Sequence, residues 1–140
     1  MTRARLIALV VPSILLLAAC GPSEERASDV AVHEAIARVR DHTGPPEGRR
    51  VKLAALERLA AATPAGSAAK LACARAYESL TTAEEAIFFA KARMAQAKGP
   101  AVMHTGAVAE VAAAEAELAK ARADMPACDA AAAELALVAR

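Results

Sequence analysis

Forty-two of the 140 residues are alanine, and that narrows the fold before any motif is read. Alanine is the strongest helix former and a poor strand former. The chain is 56% hydrophobic, yet alanine supplies more than half of that class, and the aromatics are one Tyr, two Phe and no Trp. A sheet would lack the β-branched and aromatic side chains that pack a pleated face. The composition therefore predicts an all-α domain: a small Ala-rich bundle of four to five helices, closely spaced around a modest core.

Apolar periodicity and breakers place those helices. Ser28 or Asp29 can cap a first helix running to about Asp41, with Val32, Ala35, Ile36 and Val39 on one face and His42 to Pro46 as its stop. A second is expected from Glu47 to Ala62 around Leu53, Leu56, Leu59 and Ala60, ended by Thr63 to Gly66. Ser67 can cap a third from Ala68 to Lys98, where Cys73, Tyr77 and Leu80 share a face, as do Ile87, Ala90 and Met94. Thr81 and Thr82 precede Glu84 and Glu85 by three residues, which offers capping boxes. With no Gly or Pro there, one continuous or mildly bent helix is favoured over two. A fourth spans roughly Ala107 to Ala123, with Val108, Val111, Ala112, Leu118 and Met125 marking its seam. Asp124-Met125-Pro126 reads as a cap with proline in the next first turn, opening a last helix with Cys128, Ala131, Leu135 and Val138 in register. Gly44, Gly48, Gly66 and Gly99 read as punctuation between helices.

No constellation carries catalysis, so no catalytic residue, metal ligand or cofactor is assigned. His33, His42 and His104 form no H-x-x-x-H pair and lie far from the cysteines, and solvated or core-edge positions account for them. Asp41-His42 has no nucleophile, and glycine loops for phosphate are absent. Glu84 and Glu85 are explained by capping. Phe88 and Phe89 are adjacent and cannot both face one seam; burial between several helices is expected ahead of a partner contact. The balance of 17 basic and 16 acidic residues gives no clustered basic surface for nucleic acid.

The first twenty residues are of another kind. Arg3 and Arg5 precede an apolar run from Leu6 to Ala19, and small residues lead into Cys20. That is the layout of a secretory signal, and the run is short of the about 20 residues a membrane-spanning helix needs. Leu17-Ala18-Ala19-Cys20 resembles the lipobox of bacterial lipoproteins. The resemblance implies a diacylglycerol on the Cys20 sulfur, cleavage before Cys20 and acylation of the freed amine. Two or three acyl chains make a durable anchor, each buried CH₂ contributing about 0.8 kcal/mol. The expected organisation is a signal peptide over 1–19, lipidated Cys20 with a flexible tether over 20–27, and a helical bundle over 28–140. Gly21 rather than Asp after the cysteine implies, by the family's sorting rule, the outer membrane, facing the periplasm.

Setting Cys20 aside leaves Cys73 and Cys128, an even pair in an exported protein. A disulfide between them is expected, closing a loop of about 55 residues and contributing about 4 kcal/mol in the chain-entropy view. Two free buried thiols, or a reactive cysteine, are the competing readings. The mature part is similar to small helical envelope lipoproteins. It departs from the murein lipoprotein pattern in ending at Arg140 rather than lysine and in its seven prolines, which are expected to leave no unbroken heptad. Pro126 to Ala131 also resembles entry-exclusion lipoproteins of conjugative elements, although the cysteines of that family lie close together. The function expected is that of a non-enzymatic, membrane-anchored structural or interaction domain with an envelope protein partner. The alternatives are a small-ligand or metal carrier, whose polar lining would come from His33, Tyr77 and a few glutamates, and an entry-exclusion protein.

Overall fold

Helices run through almost all of the chain that the computed structural model describes, residues 23–96 and 103–140. Cys20, the signal segment and the Gly99-Pro100 stop lie outside the described residues. In order the helices are α1 (Glu24–Arg40), α2 (Pro46–Arg58), α3 (Pro64–Gln96) and α4 (Met103–Val138). The all-α bundle holds, with four helices among the described residues, and the boundaries depart from the sequence reading in ways that carry physical information.

The first helix begins earlier than its expected caps. Ser23 accepts the amide of Arg26 and caps it, with Glu24 and Glu25 in the first turn and Arg38 and Arg40 in the last, the polarity that a helix macrodipole favours. Glu24 to Ala27 are thus helical rather than tether. Ser28 and Asp29 instead tie α1 to the turn between α2 and α3. The Ser28 hydroxyl donates to the Ala60 carbonyl at 2.9 Å and accepts from the Ala62 amide at 3.0 Å. Thr63 Oγ1 donates to Asp29 Oδ1 at 2.6 Å and accepts from the Gly66 amide at 2.9 Å. Thr63 is therefore the cap of α3, with Pro64 in its first turn, where a missing N–H costs nothing. The stretch read as a stop is a start. Gly66 is no punctuation either: a Cβ there would stand 2.6 Å from Asp29 Oδ1.

Between α1 and α2, His42 folds over two glycines. A Cβ on Gly44 or Gly48 would meet its Cε1 at 2.9 or 2.7 Å. Its Nε2 faces the Pro45 carbonyl at 2.8 Å and its Nδ1 the Lys52 ammonium at 3.1 Å. Lysine can only donate, so Nδ1 accepts and Nε2 carries the proton. The far end of α2, short of the expected Ala62, is closed by Lys70 of α3, whose ammonium donates to the Leu59 carbonyl at 2.9 Å.

The long pair α3 and α4 forms an antiparallel hairpin with a seven-residue repeat. On α3 the buried positions include Ala69, Ala76, Ala83 and Ala90; on α4 they are Ala107, Ala114, Ala121, Cys128 and Leu135. That spacing is the heptad of a coiled coil, so the expectation of no unbroken heptad is corrected. Alanine at the seam lets the backbones come close, and the Cα atoms of Cys73 and Cys128 are 4.5 Å apart. The helix break expected at Asp124-Met125-Pro126 is also corrected, since α4 continues through Pro126. The ring is exposed, and the carbonyl it strips of a partner, four residues earlier at Arg122, lies on a solvated face where water can bond it. The phase from Ala121 to Cys128 and Leu135 is kept.

Helix α1 touches the other three, and α2 touches α1 and α3. Together they cover the half of the hairpin nearest the start of α1. The core lies there: Val32, Ile36 and Val39 of α1, Leu53 and Leu56 of α2, Tyr77 of α3 and Leu135 of α4.

Candidate functional site

The covering of the hairpin ends at a line of arginines. Arg49, 8% exposed, donates from Nη1 to Glu84 at 2.5 Å and from Nη2 to the His42 carbonyl at 2.8 Å. Arg50 grips Glu85 with Nε and Nη2, at 3.0 and 2.6 Å, and Glu78 with Nη1 at 2.6 Å. Glu85 foremost, and then Glu78, hold the Arg50 guanidinium well above its ordinary pKa, against the desolvation that burial imposes. Glu84 and Glu85 are mid-helix residues that bind α2, which corrects their reading as caps. The signal was present in the sequence as Arg49-Arg50 and Glu84-Glu85, doublets that only a long-range pairing could connect.

Beyond Glu85 the hairpin continues with neither α1 nor α2 against it. Tyr77, Thr81, Glu84 and Phe88 recur at four- and three-residue steps and so share one face of α3. The first two are buried, the third is bound by α2, and Phe88 is bare, 46% exposed beside Phe89 at 55%. The expectation of burial for these rings is corrected, because among the described residues only α3 and α4 reach their level of the hairpin. The rings instead meet each other edge to face, with centroids 5.9 Å apart and planes at 75°.

A shallow groove of about 250 Å³ lies between the α1–α2 turn and this face, lined by Gly44, Pro46, Glu84, Ile87, Phe88 and Lys91. Further out, Met94 meets Ala107, Val108 and Val111 of α4 around a second hollow. On the opposite edge Arg93 donates to Glu110 at 2.7 Å, a contact that raises the guanidinium pKa. Ile87, Phe88, Met94, Val108 and Val111 thus form an apolar strip continuous with the covered one. Contiguous exposed apolar surface of this kind marks interaction sites more often than scattered single residues do.

Cys73 and Cys128, distant in sequence, are brought together in the covered half. Their sulfurs are 2.06 Å apart, bonding distance, and both residues are buried. Tyr77 is in the core, where desolvation pushes its hydroxyl pKa up. His33 is half-buried on α1, and the His104 side chain is outside the described residues. Among the described residues no three His, Cys, Asp or Glu side chains converge on a point where a metal could sit. Likewise no described helix is long and apolar enough to cross a membrane.

No family model, curated protein or solved structure matches the chain. The reading of its function therefore rests on the residues and their geometry.

Proposed function

We propose that this chain is a non-enzymatic lipoprotein of the cell envelope, anchored through Cys20 in the outer membrane and facing the periplasm. Its hairpin presents an apolar face to a protein partner. The observation that carries the reading is that face, uncovered at the end of the molecule opposite the chain's entry. Cys20 precedes Ser23, the cap of α1, by three residues, a separation that at most about 10 Å of chain can span. A lipid there would be tethered to the end of α1 that packs beside the start of α3. From Gly66 to Gln96, at about 1.5 Å per residue, α3 carries the bare face to a level about 45 Å away. The fold reads as a rigid spacer with lipid at one end and a contact surface at the other. Oxidation of Cys73 and Cys128, which export to the periplasm allows, would lock the spacer at the point where three of its helices meet.

The test is a photo-crosslinking residue placed at position 88 of the exported chain in living cells, with Val51 as the control. Val51 is 67% exposed but stands on α2, in the covered half. A discrete adduct from position 88 only, lost when Cys20→Ala releases the chain from the membrane, is the expected result. Equal or absent crosslinking at the two positions would sink the interaction reading. Membrane association that survives Cys20→Ala would sink the anchor.

A further inference from the structure

Charge decides what the bare face can hold. Lys91 stands on its rim, exposed and in no ion pair among the described residues, whereas Arg93 is already held by Glu110. Lys91 also sits midway along the uncovered stretch Ile87 to Gln96. A second copy of this chain could reach the face only tip against tip, since α1 and α2 occupy the same face below Glu84 and exclude a parallel neighbour. A twofold axis through the middle of the stretch then sets each Lys91 against its own counterpart, a like-charge contact that complementary interfaces avoid. Helix α2 shows what does fit this surface. It lies on the covered half with Leu53 and Leu56 buried and places two arginines on Glu84 and Glu85. On the bare half the charge left over is Lys91, which lines the same groove as Glu84, a carboxylate that Arg49 already holds.

Resting on the interaction reading above, we infer that the bare face binds an amphipathic helix of another protein. That helix is about 10–14 residues long, with apolar anchors spaced at i, i+3 or i+4 and i+7. The anchors seat over Ile87, Phe88, Met94, Val108 and Val111, and a carboxylate of the helix lies opposite Lys91. It would sit as an upward continuation of α2, its end against the groove beside Pro46.

The experiment uses the exported full chain in lipid nanodiscs, panned against a displayed library of 14-residue amphipathic helices with randomised polar positions. Enriched helices should carry Asp or Glu at one fixed offset from the apolar anchors. Their affinity should fall by about tenfold or more on Phe88→Ala, as for a central aromatic anchor. Lys91→Glu should turn the preference toward Lys or Arg at the same offset. Both variants must retain the thermal unfolding of the parent; where Phe88→Ala does not, Val108→Ala takes its place. No enrichment, enrichment without an acidic position, or an unchanged preference in Lys91→Glu would each overturn the inference. So would concentration-dependent self-association of the chain that displaces the helices. A position-88 crosslink in cells together with failure here would refute the acidic helix while leaving the interaction reading standing.

Discussion

Below Glu84 and above it, the same two helices meet along the same kind of seam, and the surroundings differ. In the lower half the alanines Ala69 and Ala76 face Cys128 and Leu135, and α1 and α2 add Val32, Val39, Leu53 and Leu56. In the upper half Ala90 meets the seam of Ala107 and Ala114, flanked by the exposed Met94, Val108 and Val111 and, among the described residues, by one exposed ion pair across it, Arg93 with Glu110. An alanine seam sets spacing and register but removes little apolar surface from water, since burial is worth about 25 cal/mol per Å² and a methyl offers little area. The heptad therefore fixes the shape of both halves, while stability is concentrated in the lower one and uncovered apolar surface in the upper.

The comparison breaks most readily at the cysteines. Replacing Cys73 and Cys128 by alanine should lower the unfolding free energy by about 4 kcal/mol, the chain-entropy value for the loop they close, as read by urea titration against the oxidised parent. An identical curve for oxidised parent and variant would show that the lower half does not depend on the bridge. Next comes the arginine line. Arg49→Ala leaves Glu84 partly buried and unpaired, and about 3 kcal/mol of destabilisation is expected. Arg93→Ala in the upper half should leave the urea midpoint unmoved. Equal effects would erase the distinction between covered and uncovered ion pairs.

Two glycines then give opposite signs. Gly66→Ala pushes a methyl against Asp29 Oδ1, 2.6 Å away, and should cost about 1–2 kcal/mol despite alanine's helix preference. At Gly106 the nearest atom to a new Cβ is Arg93 Cδ at 3.5 Å, ordinary contact. Gly106→Ala should stabilise by about 0.5–1 kcal/mol, a shift that thermal unfolding of the pair resolves. The smallest effect is expected at Phe88→Ser, which should change stability by under about 0.5 kcal/mol. A large loss there would place Phe88 in a core.

Composition made the helical class legible, and the apolar stripes of α1, α2 and the lower part of α3 could be read residue by residue. The Cys73–Cys128 pairing was legible too, because setting the lipobox-like Cys20 aside leaves these two as an even pair. The seam was not: with 42 alanines in the chain, an alanine every seventh residue has no contrast, and the larger residues Val108, Val111 and Leu118 stand out in its place. Local rules misplaced Thr63 and Pro126. Thr-Pro suits a helix start as well as a stop, and proline in α4 was outweighed by helix propensity on both sides and by burial of Cys128 and Leu135 in phase. Asp29, Glu84 and Glu85 suit local capping roles by sequence, yet their partners Thr63, Arg49 and Arg50 are more than 30 residues away. The candidate site was legible only in composition, as two adjacent phenylalanines with no evident seam. That they stand in the open depends on where α2 ends its cover, and no local pattern encodes that.

The distinction between the halves is tested most directly by amide hydrogen exchange along α3, one helix that passes through both. Amides from Ala69 to Glu84 should exchange only through global unfolding, and those from Ile87 to Gln96 at least about 100-fold faster through local opening. Uniform protection from one end of α3 to the other would contradict the account, because it would mean that the upper half is held as firmly as the lower.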